Sequence, residues 1–299
     1  MHRTVMCLHV VRHALAATII IILAAGCRGS DWQNALDDVI VAERAFAARA
    51  TDTTVQQAFL ESIARDAVLF RPGPTDARAL LAAQPYPPDF QLEWTPEWAD
   101  ASRDGELGYT TGPWRAGRRN QRSQSAAHGT YVTIWKRTLH DGWRVILDFG
   151  TGGASEFAVR ELRHPASPPA HADAADRSAL EQSIRLVDED FVEALGADST
   201  ALVAFVADDT RFLRDGSIAT IGIPTANAAY AAIERSVRWS AAGSDISTAG
   251  DLGFVFGTWR SSSADSANGA WLRIWRRNAT GDWKLALDAV TGSRPASTL

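Results

Sequence analysis

Cysteine is scarce in this chain, and lysine nearly as much so. Both cysteines of the 299 residues, Cys7 and Cys27, fall within the first 27 positions. A mature chain that starts at Cys27 therefore has no pair of thiols to join, and its fold must rest on apolar burial. Of the 30 basic residues only Lys136 and Lys284 are lysines, and 35 acidic residues leave a net charge of −5, which argues against nucleic acid as a partner. Beyond position 27 the histidines are His128, His140, His164 and His171, with no metal-ligand spacing among them, so no metal site is expected. There is no Gly-x-Ser-x-Gly elbow, no phosphate-binding loop and no dinucleotide glycine fingerprint. Serine hydrolase, nucleotidase and Rossmann readings lose their support, and no cofactor is expected.

The one long apolar run, Ala14 to Gly26, follows Arg3 and Arg12 and is too short to span a bilayer comfortably. It has the form of a signal peptide over residues 1–26. The segment Leu23-Ala24-Ala25-Gly26-Cys27 resembles the lipobox of bacterial lipoproteins, with Ala24 where leucine is usual. That resemblance implies acylation of Cys27, export to the cell envelope and a membrane tether through lipid.

The remainder is about twice the usual domain length and reads as one domain written twice. Gly105 to Arg115, "GELGYTTGPWR", is echoed by Gly250 to Arg260, "GDLGFVFGTWR". Tyr131 to Arg137 is echoed by Trp271 to Arg277, and Asp141 to Gly153, "DGWRVILDFGTGG", by Gly281 to Ser293, "GDWKLALDAVTGS". The copies run over 34–152 and 178–292, joined by a Pro/Ala-rich linker at 153–177.

Each copy opens with a helical stripe, Leu36, Val39, Ile40 and Phe46 in the first and Leu180, Ile184, Val187, Phe191 and Leu195 in the second. Ser178 and Glu181 suggest a capping box. Shorter amphipathic stretches follow near Phe59–Ile63 and Leu202–Val206, and period-two alternation is expected from there to the end of each copy. Helices first and an antiparallel meander after them predict an α+β domain. In the last hairpin Arg137 should face Trp143. Strict alternation then sets Tyr131, Trp135, Leu147 and Phe149 on one face and Val132, Ile134, Ile146 and Asp148 on the other. Both faces are apolar, so the sheet should be covered by its own helices on one side and by the other copy on the second.

With two helices, a bent sheet, the "GxLGyttGxW" strand and the terminal "dGxWkvxLDxgT" hairpin, each half resembles the nuclear transport factor 2-like superfamily. The likeness is closest to its branch with SnoaL-like polyketide cyclases and the association domain of calmodulin-dependent kinase. The resemblance implies tandem cone-shaped domains, a pocket between helix and curved sheet, and pairing through the outer sheet face, here as an internal pseudo-dimer that leaves the chain monomeric. Members include isomerases, cyclases, dehydratases and plain binding modules, so the fold does not choose among them.

Asp148 and its repeat Asp288 have two readings, a base of raised pKa at a pocket mouth or a strand-end acceptor of backbone N–H bonds, of which the architectural one is preferred. Tyr109, whose counterpart is Phe254, could donate to an oxyanion beside Asp148, or could simply reach the rim. Trp94 and Trp98 bracket a proline and could wall a ligand pocket; the pairs Trp114/Trp259, Trp135/Trp275 and Trp143/Trp283 are assigned to packing or to the face between copies. The loop Arg115 to Arg122 is basic only in the first copy and could grip an anion. These features lead to a lipid-anchored module of the cell envelope that binds a small apolar ligand or an envelope protein. The alternative is a cofactor-independent isomerase, cyclase or dehydratase acting on a small apolar carbonyl compound in the first domain, which a deep pocket holding both Tyr109 and Asp148 would favour.

Overall fold

The computed structural model describes residues 31–119, 127–153, 157–158, 160–170, 176–197, 201–231, 237–261 and 267–292. The expected signal peptide with Cys27, and positions 120–122 of the basic loop, lie outside the described residues.

The first half starts with helix α1 (Asp31–Asp52), whose buried stripe of Trp32, Leu36, Val39, Ile40 and Phe46 follows the three-and-four spacing of its sequence. Helix α2 (Val55–Ser62) is capped by the Thr54 hydroxyl, which accepts the Gln57 N–H at 3.1 Å. Strands β1 (Ile63–Phe70) and β2 (Pro74–Asp76) lead to helix α3 (Ala77–Ala83), and β3 (Phe90–Trp94), β4 (Trp98–Ala101), β5 (Leu107–Arg118), β6 (Ala127–Thr138) and β7 (Gly142–Gly152) complete the sheet. Its order is β2-β1-β7-β6-β5-β3, with β4 also beside β5. The second half repeats the plan with α4 (Arg177–Ala197), a 3-10 turn (Ala201–Ala204), β8 (Val206–Arg214), β9 (Thr220–Ile221), α5 (Ile223–Ala231), β10 (Val237–Ile246), β11 (Leu252–Ser261), β12 (Asn268–Arg277) and β13 (Trp283–Val290), in the order β10-β11-β12-β13-β8-β9. The chain is therefore α+β, two sheets each with its own helices.

Three features depart from the sequence reading. Helices α3 and α5 stand where only alternation was expected; Asp76 starts α3 by accepting the Ala79 N–H at 2.7 Å, and Pro224 sits in the first turn of α5. Strand β1 pairs parallel with β7, and β8 with β13, because the strand that leaves the helices enters the sheet beside its last strand in the same direction. Helix α4 is capped by Asp176, which accepts the Ala179 N–H at 2.8 Å, and not by Ser178.

The hairpin register agrees at the turn: Arg137 faces Trp143, and Arg277 faces Trp283. Strict alternation then fails. Trp135 pairs with Val145 but Ile134 pairs with Leu147, which makes Ile146 an extra residue, a β-bulge. Since side chains alternate, one inserted residue moves everything after it to the opposite face. Leu147 and Phe149 join Val132 and Ile134 on the outer face, and Asp148 joins Tyr131, Thr133 and Trp135 on the helix face. Ala286 does the same in β13 and leaves Asp288 opposite Arg273.

The outer faces of the sheets cover each other, as expected, but chiefly with aliphatic residues and phenylalanine rather than with the repeated tryptophan pairs. Val132, Ile134, Leu147 and Phe149 meet Phe254, Leu272, Ile274 and Leu287 in one buried cluster. Trp114, Trp135 and Trp143 pack on the helix side of the first sheet, and Trp259, Trp275 and Trp283 on that of the second. The rim of this seam is two-fold symmetric in its chemistry. Arg276 donates to Asp100 at 2.7 Å, and their counterparts Lys136 and Asp245 pair at 2.7 Å. Glu106 accepts the Thr248 N–H at 2.8 Å, and its counterpart Asp251 accepts the Arg103 N–H at 2.9 Å. Reciprocal contacts of this kind are the mark of an isologous pair, here within one chain.

The segment between the domains lies along this seam. Arg163 exchanges backbone hydrogen bonds with Glu97 and Ala99, and the carbonyls of Ser167 and Pro169 accept from Arg276 and Arg103.

Candidate functional site

The bulge at Ile146 decides which of the expected site residues meet. Asp148 and Trp94 line a cavity of about 310 Å³ in the first domain, between its helices and the concave face of its sheet. Tyr109 does not. It pairs with Ile134 and lies on the outer face, buried in the seam, where its hydroxyl accepts the Trp98 indole N–H at 3.0 Å and is pushed to a higher pKa by burial. The expected Tyr109–Asp148 pairing is thus corrected, since a sheet separates the two. Trp98, expected as a pocket wall, is a seam residue as well.

Phe46, Phe59, Phe90 and Trp94 wall the cavity, with Phe46 edge-on to Trp94 at 4.7 Å and to Phe59 at 4.9 Å. Asp148 is half-buried in this wall, and its one side-chain partner among the described residues is the Thr133 hydroxyl at 3.1 Å. Burial pushes its carboxyl up to about 6, against the pull of the Thr133 bond and of the Arg71 charge. Arg71, at the rim, donates to the Tyr86 hydroxyl. Deeper in, Glu43 of α1 is fully buried and accepts from the Trp94 indole at 2.5 Å, the Trp135 indole at 2.9 Å and the Thr110 hydroxyl. Burial lifts Glu43 to about 7 in spite of these three donors. The Tyr131 hydroxyl is buried beside Thr110, and burial first, then the charges of Glu43 and Asp148, raise its pKa well above the ordinary value.

The second domain serves as an internal comparison. Asp188 occupies the place of Glu43 and Asp288 that of Asp148, but Arg273 stands where the first domain has Thr133. Arg273 is wholly buried and bridges the two carboxylates, at 3.1 Å to Asp188 and 3.2 Å to Asp288. Arg214 adds a bond to Asp288 at 2.5 Å. Asp288, expected as a ligand contact, is therefore neutralised in place. A cavity of about 490 Å³ does open in this domain, walled by Phe212, Trp239, Trp259 and Val290, with Arg214 bonded to Asp288 and Asp215 accepting from the backbone N–H groups of Gly152 and Gly292.

Glu43, Asp188 and the Thr133/Arg273 exchange were not singled out from the sequence. A signal was there: Glu43 and Asp188 each sit three residues before a stripe phenylalanine, Phe46 and Phe191, so both copies carry a carboxylate on the apolar face. Among the described residues no group of three or more His, Cys, Asp and Glu side chains is arranged to hold a metal ion.

Neither a protein-family model nor a curated protein matches this chain. Solved structures similar to it include a ketosteroid isomerase-like protein of Erwinia carotovora atroseptica, at 22% identity over 38% of this chain and 97% of that one, with a TM-score of 0.32. A conserved protein of Planctomyces limnophilus is similar at 22% identity over 40% of this chain and 100% of its own, TM-score 0.34. A nuclear transport factor 2-like protein of unknown function from Pseudomonas putida follows at 18% identity over 40% of this chain and 92% of its own, TM-score 0.33.

Proposed function

We propose that the first domain binds a small, largely apolar molecule that presents one hydrogen-bond donor or acidic proton to Asp148. The observation that carries this reading is the contrast between siblings. At the same strand position Asp288 is locked between two arginines, whereas Asp148 faces an aromatic cavity with, among the described residues, a single threonine partner. A carboxylate kept in a largely apolar wall, ion-paired to no cation among the described residues and with only the charge of Arg71 at the rim, is costly unless something in the cavity uses it. The leader sequence supports placing this module in the cell envelope, tethered through Cys27.

Cyclohexanol is a suitable probe, followed by the fluorescence of the cavity tryptophans at neutral pH. Asp148→Asn should weaken its binding about tenfold, the worth of one hydrogen bond to a charged group, and leave cyclohexane binding unchanged. Equal cyclohexanol affinity in both proteins, or no saturable binding by the wild type, would remove the proposal.

A second reading, proton transfer of the isomerase type, is favoured by the carboxyl pKa of about 6, which leaves Asp148 ionised at neutral pH and still able to hold a proton briefly. Exchange of the α-hydrogens of cyclohexanone for solvent deuterium, read by proton NMR, tests it. An exchange rate no faster than buffer, or the same in Asp148→Asn, speaks for binding alone.

A further inference from the structure

The seam between the sheets departs from its two-fold symmetry at one buried charge. In the first domain Val68 pairs with Leu147 and packs into the seam; the equivalent residue of the second domain, paired with Leu287, is Arg211. The fold does not need a cation here, since its sibling builds the same strand with valine. Arg211 is nonetheless only 6% exposed. Its guanidinium carbon lies 3.5 Å from the Trp98 ring centroid, and Nη1 donates to the Asp209 carbonyl at 3.0 Å. Trp98 has Gly243 as its counterpart, so the ring and the guanidinium form a pair that the other side of the seam lacks.

Among the described residues no carboxylate forms an ion pair with Arg211; Glu97 and Asp209 are the acids whose charge it feels, and Glu97 is held by Arg160 at 3.5 Å. Stacking on an indole and one backbone carbonyl leave most of the guanidinium fork unused, and a buried guanidinium without a counter-ion is expensive. The unused side faces a cavity of about 260 Å³ between the domains, which Arg211 lines together with Arg160 and Arg163 of the linking segment and Leu213, Ile218 and Thr111. Three guanidinium groups and one carboxylate give this cavity an excess of positive charge. Its volume suits an anion of a few heavy atoms, and the planar fork suits paired oxygens.

We propose that this cavity is a binding site for a small oxyanion, a phosphate or carboxylate group, which passes Arg160 and Arg163 and completes the coordination of Arg211. None of its residues lines the cavity at Asp148, so the two sites stand or fall separately. Because Arg211 belongs to the second sheet, Thr111 to the first and Arg160 and Arg163 to the segment between them, an occupied site would clamp the domains together.

The test is calorimetric titration of the full chain with inorganic phosphate and with acetate, at an ionic strength held constant with sodium chloride. The proposal expects saturable binding of at least one of them at one site per chain. Arg211→Gln should weaken it about tenfold or more, as expected for the loss of a charge-assisted bond. Arg163→Gln, an exposed substitution at the mouth that leaves the core untouched, should weaken it severalfold and keeps the test open if Arg211→Gln does not fold. Arg185→Gln, exposed on α4 and outside the cavity, should bind as the wild type does. Co-sedimentation with phosphatidylcholine vesicles, with and without phosphatidylglycerol, separates a free anion from a lipid headgroup. Binding to phosphatidylglycerol that is lost in Arg163→Gln or Arg211→Gln also supports the site and assigns the oxyanion to lipid. No saturable binding in any arm, or equal binding by wild type and both variants, overturns it. So does a melting temperature in anion-free buffer that falls in Arg211→Gln while phosphate leaves the wild type unmoved, because Arg211 would then serve only to stack on Trp98.

Discussion

Replacing Glu43 with glutamine should produce a protein that is less stable than the wild type in acid and more stable in base. Glu43 is 0% exposed and its carboxyl is raised from 4.5 to about 7, chiefly by burial. A carboxyl whose folded pKa exceeds its unfolded one holds its proton longer in the native state. Its contribution to stability is complete below pH 4.5 and is lost as pH rises through 7. At about 1.4 kcal/mol per pKa unit the loss reaches about 3 kcal/mol by pH 8. Glutamine has the same shape and does not ionise, so this loss disappears. It cannot, however, accept on both sides: with its oxygen in the place that serves Trp135 and Thr110, its amide faces the Trp94 N–H, and one buried hydrogen bond goes, at a constant cost of about 1–2 kcal/mol. At pH 5, where about 0.8 kcal/mol of the wild type's loss has already occurred, the variant should be weaker by up to about 1 kcal/mol, and at pH 8 stronger by about 1–2 kcal/mol. Urea denaturation at the two pH values, followed by tryptophan fluorescence, measures the difference, and comparing the two proteins at each pH largely cancels the titration of Asp148 and every other group. A difference that stays constant from pH 5 to pH 8 would refute the argument, for it would mean that Glu43 is as readily ionised in the fold as out of it.

Two further substitutions examine the second domain and the seam. Arg273→Met leaves Asp188 and Asp288 buried without their shared cation and should cost about 3–5 kcal/mol in a urea titration at neutral pH; a loss below about 1 kcal/mol would show that the bridge is not what holds this core. Tyr109→Phe removes the acceptor of the Trp98 indole and should cost about 1–2 kcal/mol of stability, while cyclohexanol affinity stays at the wild-type value. A marked loss of cyclohexanol binding would contradict its placement across the sheet from Asp148.

The helical stripes, the division into two helix-and-sheet units, the hairpin register at Arg137 and Trp143 and the mutual covering of two apolar faces were all legible in the sequence, because each depends on periodicity or on self-similarity. The site was legible only in part. Asp148 and Trp94 do line a cavity, but a single bulge residue, Ile146, exchanges the faces of everything after it, and nothing in an alternating run of apolar residues announces where an extra one will be accommodated. That slip put Leu147 and Phe149 on the side of the tryptophans and Asp148 on the opposite one. The contrast between Thr133 and Arg273 was visible as two letters. Its meaning depended on knowing that both point at a pair of carboxylates drawn from a helix and a strand far apart in the chain.

The parallel pairing of β1 with β7 bears on how such a chain is made. Residues 63–70 pair with residues 74–76 on one side and with residues 145–148 on the other, so β1 and β2 cannot join the rest of the first sheet until the closing hairpin has been synthesised. Even then its leucine and phenylalanine surface stays bare while residues 177–290 are still to come. A product truncated in the linking segment would be finished as a domain and still adhesive, and the protein has reason to be kept from aggregating until its last strand is in place.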